Sequence, residues 1–397
     1  MVGGYGVLHR DFACLQFVVA DVWVFVRTVQ IFLGFRAKVF QENVRKVKMI
    51  TKESVLAALS HVDDPDLKKD LVTLGMIEDL VIGDKISFTI VLTTPACPMK
   101  DMMVNACKTA IRMMVDPNIE VEVATTSRVR GSIPMSETLP GVKHVIAVAS
   151  GKGGVGKSTL SASLALALHG MGAKVGLLDA DIYGPSVPTM FGVSESPQMY
   201  MKGDKQIMIP VEAKGLKLLS IGFMTAPGQA IVWRGPMVSS AFRQFVQDTD
   251  WGDLDYLIID LPPGTGDVQL SLVQNVPLTG VVIVTTPQEM ALTDARRAMG
   301  MFSMEAVNKR ILGVVENMSY FTPEDAPDKK YRLFGEGGGK SISEAYNVPF
   351  LGELPLNPAL MKAVDKGELT KDSPELLPYF AVAGALAQQV SMLQITK

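Results

Sequence analysis

From Val142 onward, short apolar runs alternate with stretches of helical periodicity. The runs lie at about 144–149, 174–179, 216–221, 255–260, 280–286 and 311–316. Continuous apolar strands separated by helices indicate a parallel sheet that is covered on both faces. The pattern therefore predicts an α/β domain over residues 142–397, built on a doubly wound, mostly parallel sheet. Its ligand is expected at the carboxyl ends of the strands.

Residues 49–126 have a different pattern, which predicts a small α+β unit. Thr51 is expected to cap a first helix over about 52–60. A hairpin that turns at Gly83-Asp84, a second helix and a last strand follow, at about 75–82, 86–93, 99–115 and 119–125. Segment 127–141 is polar and carries Pro and Gly without an apolar period, so we predict a linker there.

Residues 1–48 are an atypical N-terminal extension. Segment 14–35 is apolar, but Asp21 and Arg27 interrupt it, and a charge inside a bilayer is costly. We therefore favour a poorly ordered or non-native extension over a membrane anchor. On this interpretation Met49 is the natural start.

Composition narrows the functional classes. The chain of 397 residues is 48% hydrophobic and 20% charged, with a net charge of −3. This balance gives no reason to expect nucleic-acid binding or a stable membrane association. The only cysteines, Cys14, Cys97 and Cys107, are scattered, which is typical of a reducing cytoplasm and not of a disulfide framework. The apolar stretch 379–397 is predicted to be a packed helix, because it lacks the basic face of a membrane-surface helix.

The strongest chemical signal follows the first predicted strand, His144–Ser150. The spacing Gly151-x₄-Gly156-Lys157-Ser158 fits a phosphate-binding loop between a strand and a helix. Backbone N–H groups would surround phosphate oxygens, Lys157 would reach the β- and γ-phosphates, and the Ser158 hydroxyl would bind Mg²⁺. The predicted nucleotide-binding residues are Gly151, Lys152, Gly153, Gly154, Val155, Gly156, Lys157, Ser158 and Thr159.

Acidic and amide residues follow other predicted strands. Asp179 and Asp181 come at the end of one strand, and Asp181 is the candidate for orienting the attacking water. Asp260 ends an apolar strand and is predicted to hold Mg²⁺, with a hinge-capable Pro/Gly loop after it. Asn317 follows strand 311–316, where its amide can read an adenine edge. Segment 335–341 is one residue short of a second phosphate loop, and we interpret it as a flexible loop.

Several motifs together resemble the deviant Walker A, or MinD/Mrp-type, P-loop ATPases. They are GKGGVGKST (151–159), DADIYGPS (179–186), DLPPGTGD (260–267), QEMALTDARRAM (288–299) and ENMSYF (316–321). The match narrows to the Mrp/ApbC iron–sulfur cluster carrier family. Residues 49–126, with TPACP at 94–98, are similar to the small Fe–S assembly domain often fused ahead of such proteins.

The resemblance implies a particular activity and particular partners. It implies an ATP hydrolase that uses Mg²⁺ and works as a homodimer, in which Lys152 crosses to the partner's nucleotide. It also implies that Lys157 and Ser158 take the ordinary phosphate and Mg²⁺ roles and that Asp181 orients the water. The cargo would be a [4Fe-4S] cluster, exchanged with the Fe–S assembly machinery and with apoprotein recipients.

The cargo ligands depart from the family's pattern. Many members carry Cys-x-x-Cys just after the NMSYF stretch, whereas this chain has Thr322-Pro-Glu-Asp325. Cys97 is the remaining Fe–S ligand candidate, because a helix N-terminus is expected to lower its pKa there. The alternative is a small buried core cysteine, which is our interpretation of Cys107. Two other functions stay open, a partitioning or positioning ATPase like ParA and MinD, and an ATP-dependent scaffold without its own cluster.

Overall fold

The computed structural model describes residues 50–95, 97, 99–129, 138–224, 235–274 and 276–393. The chain divides into two units, residues 1–57 and 58–397. In the first unit, the helix Lys52–Leu59 begins as predicted, and Thr51 Oγ1 accepts a hydrogen bond from Ser54 N at 3.3 Å. The predictions of a poorly ordered or non-native extension over residues 1–48 and of a natural start at Met49 lie outside the described residues.

Two small sheets, one of two strands and one of three, open the second unit. Strands β1 (Asp63–Asp64) and β2 (Lys69–Asp70) form a short antiparallel pair. The predicted hairpin is confirmed by β3 (Ile77–Ile82) and β4 (Lys85–Leu92), and β4 pairs in parallel with β5 (Glu120–Ser127). The helix Lys100–Met114 joins β4 to β5 and buries Met103, Cys107 and Ile111. Because β5 runs to Ser127, the predicted linker begins too early, and its residues 130–137 lie outside the described part.

The main sheet has eight strands in the order β10-β11-β7-β12-β6-β13-β14-β15. These are β6 (Val142–Ala149), β7 (Val175–Asp179), β10 (Val211–Ala213), β11 (Leu216–Ser220), β12 (Leu254–Asp260), β13 (Gly280–Thr285), β14 (Ile311–Tyr320) and β15 (Phe350–Pro355). All neighbours are parallel except β10, which is antiparallel to β11. The predicted doubly wound, mostly parallel sheet is therefore confirmed. A separate hairpin, β8 (Gln198–Lys202) with β9 (Lys205–Ile209), was not predicted.

Helices cover both faces of the main sheet. Along β6, Val145, Ala147 and Ala149 point into one buried cluster, whereas Ile146 and Val148 point into the other. This alternation follows from the two-residue period of a strand, and it explains why the run is apolar at every position. The helices of this region are Lys157–Gly170, Val187–Phe191, Gly235–Gln247, Asp267–Gln274, Glu289–Ser303, Gly338–Ala345, Pro358–Asp365 and Leu377–Met392.

The last helix, Leu377–Met392, packs into the core. Leu386 and Val390 are buried, as expected of a packed helix, and residues 394–397 lie outside the described part. Within the described ranges, we find no helix whose length and apolar character would let it cross a membrane.

Candidate functional site

The phosphate loop lies between the carboxyl end of β6 and the helix Lys157–Gly170. Gly154 and Gly156 have φ values of 82° and 84°, a left-handed conformation that glycine adopts without strain. Gly151 packs so closely on the backbone of Asp294 that a methyl group there would overlap it. These glycines allow the backbone to turn tightly at the start of the helix, where N–H groups are free to bind an anion.

Lys157 joins the loop to two acids at strand ends. Its Nζ lies 2.8 Å from Asp260 Oδ1 and 3.7 Å from Asp181 Oδ2, and its side chain is only 6% exposed. Ser161 Oγ donates a second hydrogen bond to Asp260 Oδ1 at 2.8 Å. The Lys157 ammonium also donates to Ser158 Oγ at 3.2 Å. The structure thus brings Lys157, Ser158, Asp181 and Asp260 together beside the phosphate loop.

Asp179 organises the turn that carries Asp181. Its carboxylate accepts hydrogen bonds from Ser220 Oγ and from the backbone N–H groups of Asp181, Ser186 and Val187. Burial, and then the charge of Asp260, raise the pKa of Asp179 to about 7, although the hydrogen bonds from Val187 and Ser220 act to lower it. Asp179 is therefore fully engaged, whereas Asp181 keeps a side chain that is 13% exposed. Burial also raises the pKa of Asp181, and the Lys157 charge opposes that shift.

The donor set fits a magnesium ion. Asp260 Oδ2 is buried and has no hydrogen-bond partner among the described residues, and the nearby carboxylates outnumber the single ammonium group. The described ranges contain no group of three or more His, Cys, Asp or Glu side chains placed to hold a metal. Mg²⁺ needs no such cage, because it is usually bound by one or two carboxylates, waters and substrate phosphates. Asp260 and the Ser158 hydroxyl therefore suit this ion.

The loop after β12 contacts the start of the phosphate loop. Gly264 N donates to Ser150 O at 3.0 Å, and Gly264 has a φ of 101°, which only glycine adopts easily. Ser150 Oγ in turn donates to Lys152 O at 2.9 Å. Ser150 thus joins the Pro/Gly loop to the phosphate loop by hydrogen bonds, which is the contact that a γ-phosphate sensor would require.

Lys152 is placed differently from Lys157. It is partly exposed, and no bond of its ammonium group is found in the described portions of the chain. Lys157, by contrast, is buried among carboxylates. The side chain of Lys152 is thus available to reach a group outside its own phosphate loop.

Asn317 is not at the end of a strand, as the sequence suggested, but inside it. Strand β14 continues to Tyr320, so the prediction of a strand end at residue 316 is wrong. Asn317 is 5% exposed, and its Nδ2 donates to Val155 O of the phosphate loop at 3.0 Å. Its role in adenine recognition stays a prediction.

Cys97 lies in the connection between β4 and the helix Lys100–Met114 and is partly buried. Burial raises the pKa of its thiol, and the charges of Asp66 and Asp64 add to the effect, so the expected lowering is wrong. The acids come from a segment about 30 residues upstream, which local sequence does not reveal. Cys107 is a core residue, as predicted, and burial raises its pKa to about 12.

The structure does not bring Cys97 to the phosphate loop. The hydroxyl of Thr94, three residues before Cys97, lies 3.5 Å from the hydroxyl of Tyr256, near the amino end of β12. Asp260 ends the same strand, and four residues of extended chain span about 13 Å. The connection that carries Cys97 thus lies near the amino end of β12, whereas the acids that bind Lys157 lie at the carboxyl ends of the strands.

The segment after β14 also differs from expectation. Residues 338–341 belong to the helix Gly338–Ala345, so a flexible loop over 335–341 is wrong for these residues. Glu316 Oε2 accepts a hydrogen bond from Gly339 N at 2.6 Å, which satisfies a free N–H group in the first turn of this helix. Thr322 and Asp325 line a cavity of about 630 Å³ together with Tyr320 and Lys362.

Comparison with known families identifies both parts of the chain. Residues 141–390 match the NUBPL iron-transfer P-loop NTPase family, and residues 52–123 match the iron–sulfur cluster assembly protein family. The iron–sulfur cluster carrier protein of Synechocystis sp. is 48% identical over 351 residues, covering 87% of this chain and 99% of that protein. The protein of the same name from Deinococcus radiodurans is 46% identical over 357 residues, covering 87% and 97%.

A plant relative and a solved structure extend these matches. The chloroplastic Fe-S cluster assembly factor HCF101 of Arabidopsis thaliana is 44% identical over 328 residues, covering 81% of this chain and 60% of that protein. A nucleotide-binding protein from Archaeoglobus fulgidus, solved in complex with ADP, is 36% identical. It covers 62% of this chain and 95% of its own, with a TM-score of 0.53.

Proposed function

Because this chain belongs to the NUBPL iron-transfer P-loop NTPase family, we propose that it is an ATP-hydrolysing carrier that binds iron–sulfur clusters and transfers them to apoproteins. The observation that carries the ATPase part is the contact of Lys157 with Asp260 and Asp181 beside the phosphate loop. Relatives of 48% and 46% identity over almost their full length, both named as cluster carriers, support the cargo.

ATP binding would rearrange the buried ion pair. Phosphate oxygens would take the place of Asp260 as the partner of Lys157, while N–H groups of residues 151–159 donate to the same phosphates. Asp260, released from Lys157, and Ser158 would then hold Mg²⁺, which neutralises charge that develops on the transferring phosphoryl group. The carboxylate of Asp181, which is partly exposed at the rim of the site, would accept a hydrogen bond from the attacking water and so orient it.

Lys152 supports a dimeric form of this reaction. Its ammonium group is not engaged by the described residues of its own chain, so it is available to stabilise phosphate charge on the partner's nucleotide. We also propose that the protein works in the cytoplasm, because its scattered cysteines suit a reducing compartment.

Cys97 is the proposed thiolate ligand of the cargo. It is the described cysteine that reaches solvent, whereas Cys107 is fully buried. Because burial raises its pKa, cluster binding must displace the thiol proton, so binding should strengthen as the pH rises. A partitioning ATPase has no need of this domain, and the match of residues 52–123 to an iron–sulfur assembly family therefore favours the carrier.

Anaerobic reconstitution with iron and sulfide tests the cargo role. The wild-type protein should acquire the visible charge-transfer absorption of a cluster, and Cys97→Ala should lose most of it. Cys14→Ala is the matched control, since it removes a thiol that we assign no role, and it should reconstitute like the wild type. Equal reconstitution of the Cys97→Ala and wild-type proteins would refute the ligand assignment.

A further inference from the structure

The two oxygens of the Asp260 carboxylate have different surroundings. Lys157 Nζ and Ser161 Oγ each lie 2.8 Å from Asp260 Oδ1. Asp260 Oδ2 is buried and has no hydrogen-bond partner among the described residues. The carboxylate is therefore held by one oxygen, and the other oxygen keeps its full capacity to accept a bond.

Ser161 reaches Asp260 because of its position on the helix Lys157–Gly170. Residues four apart lie on the same face of a helix, so Ser161 lies one turn beyond Lys157 on the side that faces the end of β12. Its neighbours on the helix are buried and apolar, and Ser161 is itself fully buried. A buried hydroxyl is costly unless it has a partner, so its hydrogen bonds decide whether a serine is tolerated at this point of the core.

The Ser161 hydroxyl has two acceptors within reach but only one proton. Lys157 O lies 3.0 Å from Ser161 Oγ, and Asp260 Oδ1 lies 2.8 Å from it. The bond to Lys157 O is the one that a helical serine can make with the carbonyl four residues earlier. The bond to an ionised carboxylate is shorter and stronger than a bond to a neutral carbonyl. Ser161 is therefore placed to donate to Asp260, with the carbonyl as its alternative partner.

Nucleotide binding would change which donor Asp260 keeps. Under the proposed function, phosphate oxygens take over the Lys157 ammonium group, so Ser161 is the donor that stays on Oδ1. We propose that Ser161 is a positioning residue that holds Asp260 by Oδ1 and keeps its carboxylate oriented for Mg²⁺ after Lys157 has turned to the nucleotide. This inference rests on the proposed ATPase function and deepens it. Carboxylates that bind a metal are usually held by such a hydrogen bond, and its loss weakens metal binding by about 10- to 100-fold.

Metal binding to the ADP complex tests this inference without turnover. Mn²⁺ is the probe in place of Mg²⁺, because its electron paramagnetic resonance signal distinguishes the free from the bound ion. When both proteins are saturated with ADP, Ser161→Ala should bind Mn²⁺ about tenfold more weakly than the wild type. Its affinity for ADP in the presence of EDTA should be unchanged, because the phosphate loop and Lys157 are intact. In ATP hydrolysis, the Mg²⁺ concentration for half-maximal turnover should rise by a similar factor.

Ser163→Ala is the matched control. Ser163 is also fully buried on this helix, but it lies about 200° around the helix axis from Ser161. Its hydroxyl lies beside Tyr379 of the last helix, and it has no hydrogen bond to Asp260 among those described. Ser163→Ala should therefore bind Mn²⁺ and ADP like the wild type. An equal loss of Mn²⁺ affinity in this control would mean that a general disturbance of the helix explains Ser161→Ala, and the inference would be wrong.

Two further results would overturn the inference. Equal Mn²⁺ affinities of Ser161→Ala and the wild type would show that Ser161 does not position Asp260. A matching loss of ADP affinity in EDTA would show that Ser161 acts on the phosphate loop and not through the metal ligand. A wild type that binds no ADP, or whose ADP complex binds Mn²⁺ no more tightly than free ADP does, would instead refute the proposed function, and the inference with it.

Discussion

Lys157→Ala should destabilise the fold as well as abolish nucleotide binding. The Lys157 side chain is 6% exposed, and its Nζ lies 2.8 Å from Asp260 Oδ1, on a side chain that is fully buried. Removing one partner of a buried ion pair costs about 3–5 kcal/mol, because the other charge is left uncompensated. The local acids can relieve part of this cost by taking up a proton, since burial and Asp260 already raise the pKa of Asp179 to about 7. We therefore expect a loss of about 3 kcal/mol near neutral pH.

The loss of stability in Lys157→Ala should depend on pH, and the raised pKa values of the nearby carboxyl groups determine in which direction. Carboxyl groups with a raised pKa bind more protons in the folded than in the unfolded state, so their contribution to stability falls as the pH rises through the interval between the two pKa values. Removing the ammonium group of Lys157 enlarges that shift. The free energy of unfolding lost in Lys157→Ala should thus be larger near about pH 8 than near about pH 6.

Urea denaturation of purified proteins at both pH values measures this loss. Lys143→Ala is the control, because Lys143 Nζ also lies 2.7 Å from a carboxylate, that of Asp255, but its side chain is 40% exposed. Such a surface pair contributes about 1 kcal/mol or less. Equal effects of the two substitutions, or a Lys157→Ala loss that does not change with pH, would refute the account of a buried charged cluster.

The remaining predictions concern turnover and the phosphate loop. Lys152→Ala should abolish ATP hydrolysis in a phosphate-release assay while ATP still binds, and unchanged turnover would rule out activation across a dimer. Asp181→Asn should lower turnover by about 100-fold or more without comparable loss of ATP affinity, since it removes the group that orients water; a non-catalytic scaffold would have no activity to lose. Gly156→Ala should weaken ATP binding and lower the melting temperature, because a methyl group there meets Asn317 and the φ of 84° disfavours alanine. Wild-type affinity in Gly156→Ala would contradict the tight loop geometry.

Periodicity predicted those elements whose pattern is set locally. The six continuous apolar runs appear as strands, because each is buried on both faces and needs no polar position. Strand β15 escaped detection because Gly352 and Glu353 interrupt its apolar run. The hairpin of β8 and β9 escaped because its residues are largely exposed, so the pattern has no buried side to reveal.

In the candidate site too, some features are indicated by local sequence and others depend on tertiary structure. Glycine spacing and strand-end acids indicate a phosphate loop directly, since the chemistry requires those residues at those distances. The bend at Met318, which places Asn317 on Val155, depends on pairing with β15 and leaves no local signal. The raised pKa of Cys97 likewise depends on burial and on Asp64 and Asp66, which only the tertiary structure brings near.

Cluster transfer tests the central claim most directly. The reconstituted protein is mixed anaerobically with an apoprotein acceptor, in the presence of an iron chelator, with and without ATP. The account predicts that the cluster's absorption moves to the acceptor in spite of the chelator, at a rate that ATP changes in the wild type but not in Lys157→Ala. A protein that hydrolyses ATP yet delivers no cluster, under conditions where the acceptor can be reconstituted, would contradict it.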